Sequence, residues 1–147
     1  MVVSKKSLYA IRALLELVSR QEKKLVNSAE IAKKQGVSSN FIEIILNELK
    51  HSGIVDSRRG SNGGYWLTRN PNNISVLDII SCIDGTMSVI NETKDDKQAD
   101  YFGVNSLGKL WSGVLDVIVS ELDAKTLQDL FDEENLFINK KGLNYVI

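Results

Sequence analysis

The chain has 147 residues, 43% of them hydrophobic, with one cysteine and one histidine. That supports one domain with a real core and an appended element, and it excludes a disulfide framework, a two-cysteine zinc spacing and a self-sufficient iron–sulfur site. The net charge of −1 hides an asymmetry, because residues 1–70 hold 12 Lys+Arg against 6 Asp+Glu (+6) and residues 71–147 hold 6 against 13 (−7).

A basic first half predicts a polyanionic partner, and an acidic second half predicts a different one. No apolar run approaches the roughly 18 residues of a membrane span, and no apolar signal core with a small-residue cleavage site opens the chain. A cytoplasmic protein with no membrane partner is expected.

In chain order, Leu8, Ile11, Leu14, Leu15 and Val18 recur at helical spacing and predict an amphipathic helix from Ser7 to Arg20. NSAEIAKKQG predicts a short second helix, with Asn27 and Glu30 as a capping pair and Gly36 as the stop. SSNFIEIILNELKHSG then restarts after a tight turn, capped by Ser38 or Ser39, with Phe41, Ile42, Ile45, Leu46 and Leu49 as the buried stripe. Helix, Gly-containing turn and helix make a helix-turn-helix.

IVDSR and YWLT predict two strands, joined by the Gly-rich RGSNGG that a hairpin needs. Arg58 and Arg59 fall where the first strand runs into the tip. Beyond the loop NPNN, Ser75 and Asp78 open a further helix that Gly85 closes. Residues 86–105, largely polar and acidic, are expected to form a mobile connector.

From Ser106 to Leu122, Leu107, Trp111, Val114 and Ile118 follow 4-3-4 spacing, and Leu110, Leu115, Val117, Val119 and Leu122 widen the stripe. A helix apolar on so many sides needs burial against two bodies, one of them a second copy of the chain. Thr126 and Asp129 cap a short helix TLQDLF, followed by the flexible-looking tail NKKGLNYVI.

The fold class expected is therefore mainly α with a small β-hairpin wing: a winged helix-turn-helix domain over residues 1–85, the connector, and a dimerisation helix, short helix and tail over residues 106–147. The second helix of a helix-turn-helix fits a major groove, and its N-terminal side chains reach the base edges. Here those are Ser38, Ser39, Asn40 and Glu43, of which Ser38 and Asn40 also read as caps. Asn suits adenine and Glu suits cytosine N4. An arginine on the neighbouring hairpin can enter a narrow minor groove, so Arg58, Arg59 and Gly60 belong to the same candidate interface.

These residues also carry a resemblance. VSKKSLYAIRALLELV, EIAKKQGVSSNFIEIILNELKHSGIVDSRRGSNGGYWL and ISVLDIISCIDG resemble, in order and spacing, the bacterial winged-helix family that contains the iron–sulfur regulator IscR, the nitric-oxide sensor NsrR and the cysteine-metabolism repressor CymR. LWSGVLDVIVSELDAKTLQDL is similar to its dimerisation helix and the short helix after it. The resemblance implies a DNA-binding repressor, homodimeric on a pseudo-palindromic operator. It places Asn40 and Glu43 at base-contacting positions, Arg59-Gly60 at the minor-groove arginine, and Ser4 and Lys6 at backbone-contacting positions. Ser61-Asn62 departs from the small or proline residues common at the tip.

Cluster-binding members carry three cysteines in the segment matching residues 86–103, where this chain has none. The resemblance is thus to the cluster-free branch, with no cofactor. Cys82, beside Ile79, Ile80 and Ile83, reads as a small buried residue ahead of a redox sensor, and Trp111 as a packing anchor. The ending Tyr145-Val146-Ile147 is similar to the tail of cysteine-metabolism repressors and implies a cysteine synthase partner that captures the C-terminus; an ordinary frayed end is the plainer reading. A regulator answering to a redox signal, nitric oxide or a small molecule is the alternative, as is a winged helix used only for protein contacts, against which the basic surplus argues. No paired carboxylates, Ser-His arrangement or phosphate loop supports an enzyme.

Overall fold

The computed structural model describes residues 3–20, 25–88 and 101–146, with side chains as far as residue 142. Helix α1 (Lys5–Ser19) begins earlier than the apolar spacing predicts, because Ser4 caps it by accepting a hydrogen bond from the Ser7 amide. Helix α2 (Ser28–Gln35) is capped by Asn27 and stopped by Gly36 in the left-handed conformation. The reciprocal half of the expected Asn27–Glu30 pair is not made. Glu30 instead pairs with Arg20 at 2.5 Å, tying α2 to the end of α1.

Helix α3 (Ser39–His51) follows directly, with Ser38 accepting from the Phe41 amide. Ile42, Ile45, Leu46 and Leu49 are fully buried, joined by Leu14, Ile31, Ile54, Ile74, Ile79 and Leu127 in one core. Each such side chain contributes about 1.5–3 kcal/mol relative to exposure. Edge-to-face contact of Tyr9 with Phe41, centroids 5.5 Å apart, closes the α1–α3 side.

Strands β1 (Val55–Arg58) and β2 (Gly64–Leu67) form the predicted antiparallel hairpin, with Arg58 opposite Gly64 and Val55 opposite Leu67. A third segment joins them that the sequence did not announce. Val26 exchanges both backbone hydrogen bonds with Tyr65, at 3.0 and 2.9 Å. The glycines of the tip answer to this geometry, since a Cβ on Gly64 would lie 2.8 Å from the Val26 carbonyl oxygen and one on Gly63 only 2.1 Å from the Arg58 carbonyl oxygen. The wing is thereby pressed onto the helical body.

A single 3-10 turn (Pro71–Asn73) occupies the predicted loop. Helix α4 (Val76–Asp84) opens with the full Ser75/Asp78 capping box. Residues 89–100 of the expected connector lie outside the described residues. Helix α5 (Val104–Ala124) is the long helix expected, and it packs along α4 with no residue buried within the single chain.

The expected short helix and loose tail are instead one helix, α6 (Leu127–Val146). Thr126 and Asp129 cap it reciprocally, as the sequence predicts. It then continues through Asn139-Lys140-Lys141-Gly142, because nothing there forbids a helix: lysine is a good helix former, and one glycine costs about 1 kcal/mol without ending it. Two backbone bonds, Val76 amide to Lys125 carbonyl and Leu127 amide to Ile74 carbonyl, fix the α5–α6 junction to the start of α4.

Candidate nucleic-acid interface

The first turns of α3 stand in solvent. Ser38, Ser39, Asn40 and Glu43 are all exposed, while the stripe on the opposite side is fully buried. That division follows from the helical period, which turns residues 42, 45, 46 and 49 to the core and leaves 40, 43, 47 and 50 on the outer face. Ser38 is held as a cap, its Oγ 3.2 Å from the Phe41 amide nitrogen.

Between α3 and the wing runs a polar cleft of about 470 Å³. Glu43, Asn47 and Lys50 form one wall, and Arg58, Arg59 and Gly60 form the other. Three cations face one carboxylate among the lining side chains, which favours an anion. Glu43 accepts a hydrogen bond from Ser28 Oγ at 3.1 Å. Burial, helped by the negative charge of Glu43, raises the Tyr65 phenol above its ordinary pKa, so it stays a neutral donor.

Lys50 bridges the two walls, its Nζ donating to Ser57 Oγ at 2.8 Å and standing 3.7 Å from Asp56. Neither Lys50 nor Asn47 was singled out in the sequence, although both fall on the i+4 and i+7 positions from Glu43, a spacing that could have found them.

Ser4 and Lys6, the two N-terminal positions, do not line this cleft and are engaged within the protein. Lys6 pairs with Glu48 of α3. Asp84, at the end of α4, accepts from the Ser4 amide (3.0 Å), Ser4 Oγ (2.5 Å) and Ser7 Oγ (2.8 Å). Burial works to raise the Asp84 pKa, but the bonds from Ser4 and Ser7 and the charge of Lys6 outweigh it, and the net direction is down. Asp84 was not foreseen, since a contact spanning 80 residues leaves no trace in local pattern.

The α5 residues expected at a dimer seam divide in two. Leu107 is 54% and Val114 36% exposed, whereas Trp111 and Ile118 are half-buried within the chain. Leu110 (54%) and Val117 (64%) share the open face. Tyr145 and Val146 complete α6, and Ile147 lies outside the described residues.

Residues 3–133 match the profile of the Rrf2 family, described as an iron-dependent transcriptional regulator. The chain is 29% identical over 130 residues to the HTH-type transcriptional regulator CymR of Bacillus subtilis, covering 88% of this chain and 89% of that protein. It is 31% identical over 146 residues to the HTH-type transcriptional regulator IscR of Pectobacterium atrosepticum, covering 98% and 84%. Among solved structures, that of CymR, the global cysteine regulator of B. subtilis, aligns with a TM-score of 0.78 at 27% identity, over 90% of this chain and 98% of that one. The T. potens IscR structure aligns at 0.72 and 29% identity, over 91% and 88%.

Iron in such a family calls for ligands, and those of this chain do not fit a thiolate-held cluster. A cluster needs about four ligands, mostly thiolates, and the sequence contains one cysteine and one histidine, neither of them in residues 86–103. Cys82 Sγ lies 2.8 Å from Ser52 Oγ and 3.6 Å from the Glu48 carbonyl oxygen, against the helical body. No group of three or more potential metal ligands gathers among the described residues.

Proposed function

The chain belongs to the Rrf2 family of transcriptional regulators, and we propose that it acts as a homodimeric, cluster-free repressor gripping a pseudo-palindromic operator with α3 and the wing of each copy. The observation carrying this reading is the cleft in which Glu43, Asn47 and Lys50 face Arg58, Arg59 and Gly60. In use, Ser39, Asn40 and Glu43 meet base edges in the major groove, Ser38 meets a phosphate, and Arg59 enters the adjacent minor groove with Arg58 beside it. Ser4 and Lys6 reach the backbone only by exchanging Asp84 and Glu48 for phosphate. Replacing Arg59 by Ala should weaken specific binding by about 1–3 kcal/mol and reduce the salt slope by about one. Unchanged affinity across a salt titration would remove the wing from the interface.

The second copy docks on α5 through Leu107, Trp111, Val114 and Ile118, supported by the exposure of Leu107 and Val114 in a single chain. Two-fold symmetry then sets two recognition helices on two half-sites. The effector reading we favour is a signal from cysteine metabolism, conveyed by a cysteine synthase that captures Tyr145-Val146-Ile147. Its support is the similarity to CymR, the global cysteine regulator. Because α6 is helical through Val146, insertion requires its last turn to open. Calorimetry of cysteine synthase against the chain with and without Ile147 tests this directly: equal heats would discard the tail and leave another signal in its place.

A further inference from the structure

We propose that the apolar cavity beside the wing binds a small amphipathic monocarboxylate through Arg58, and that occupancy weakens DNA binding by drawing Arg58 away from the DNA-facing cleft. The second half rests on the interface reading above; the first does not.

The cavity measures about 510 Å³ and is lined by Leu17 of α1, Leu25, Val26, and Tyr65, Trp66 and Leu67 of β2, with Arg58 as the one charged side chain among the described residues. That size and composition, largely apolar walls with one charged anchor, are those of a small-molecule site. Ion pairs among the described residues use Lys6, Arg20, Lys34, Lys50 and Lys125, and leave Arg58 without a carboxylate. A guanidinium donates two parallel hydrogen bonds to a carboxylate, and the neighbouring apolar wall takes the ligand's body. Among the described residues, no lining side chain is acidic. The ammonium of an amino acid would therefore find no ionic partner, so the site selects a plain acid with an aromatic or aliphatic body.

Coupling follows from where Arg58 stands. It borders both this cavity and the polar cleft that holds Glu43 and Arg59. Its backbone is pinned by pairing with Gly64, whose own position is fixed against Val26. Only the side chain can swing, and one guanidinium cannot pair with a ligand carboxylate and a DNA phosphate together. Linkage makes the antagonism mutual.

The test titrates isotope-labelled protein, without DNA, with phenylpropionate, hexanoate and indoleacetate to about 10 mM each, a range that detects even millimolar binding. The indole N–H resonances of Trp66 and Trp111 are followed. We expect saturable movement of the Trp66 signal with Trp111 unmoved, and about tenfold weaker binding of phenylpropionamide, of phenylalanine and of phenylpropionate to Arg58→Gln. Saturating acid should then lower affinity for operator DNA about fivefold or more. No saturable shift with any of the three acids, or equal binding of acid and amide, would overturn the site. A bound acid that leaves DNA affinity unchanged would overturn the coupling. A protein that binds no DNA in the absence of acid would sink the interface reading while the resonance titration still decides the cavity.

Discussion

Asp84 shows how much one exposed side chain can organise. Its carboxylate takes three hydrogen bonds from Ser4 and Ser7 and so closes the N-terminus of α1 onto the end of α4. Its pKa is lower folded than unfolded, so its stabilising contribution is full above the ordinary carboxylate range and fades as pH falls through the lowered folded value. Asp84→Asn should cost about 1 kcal/mol near neutrality, solvent screening included, and the gap to the parent should narrow in acid. Denaturant melts at neutral and acidic pH check this; a gap independent of pH would mean that charge is irrelevant there. Gly64 makes a sharper case. Any side chain must displace the Val26 backbone, so Gly64→Ala should destabilise by about 1–3 kcal/mol and loosen the wing, visible as faster amide exchange at Val26 and Tyr65.

At the scale of elements, legibility tracked how local the determining interaction was. The caps at Ser38, Ser75/Asp78 and Thr126/Asp129 all form as the spacing predicts, because each joins residues three apart. Ser75→Ala should therefore lower the denaturation midpoint by an amount equal to about 1 kcal/mol, with an unchanged slope. The hairpin was legible from its glycines, though their reason was not: Gly63 and Gly64 serve close backbone approach as well as turn geometry. The pairing of Val26 with Tyr65 escaped because one residue of strand has no period. The length of α6 escaped because Leu136, Phe137 and Ile138 are consecutive and followed by Asn139-Lys140-Lys141-Gly142, so no stripe at helical spacing runs through them. Of the proposed interface, the exposed placement of Asn40 and Glu43 on α3 and of Arg58 and Arg59 on the wing was legible from helix position and hairpin tip. The occupation of Lys6 by Glu48 was not, since it joins α1 to α3 across 42 residues.

For the whole molecule, the charge asymmetry has a physical counterpart. The basic half builds the wing and α3, and the acidic half builds α5 and α6, whose open apolar face holds Leu107, Leu110, Val114 and Val117. Exposed apolar area of that kind is normally covered by a partner. Leu110→Asp should leave the single-chain fold intact, because Leu110 lies outside its core, yet convert the proposed dimer to a monomer in sedimentation and weaken operator binding by far more than one contact would. A parent protein that sediments as a monomer at micromolar concentration would refute the architecture.

Selection of bound sequences from random double-stranded DNA by the purified protein tests the central claim most directly. Two copies presenting α3 and the wing across a two-fold axis should enrich a site of two inverted half-sites whose centres lie about one helical turn, or a multiple of it, apart, and Arg59→Ala should lose that enrichment. No enriched sequence, or an enriched sequence without dyad symmetry, would contradict it.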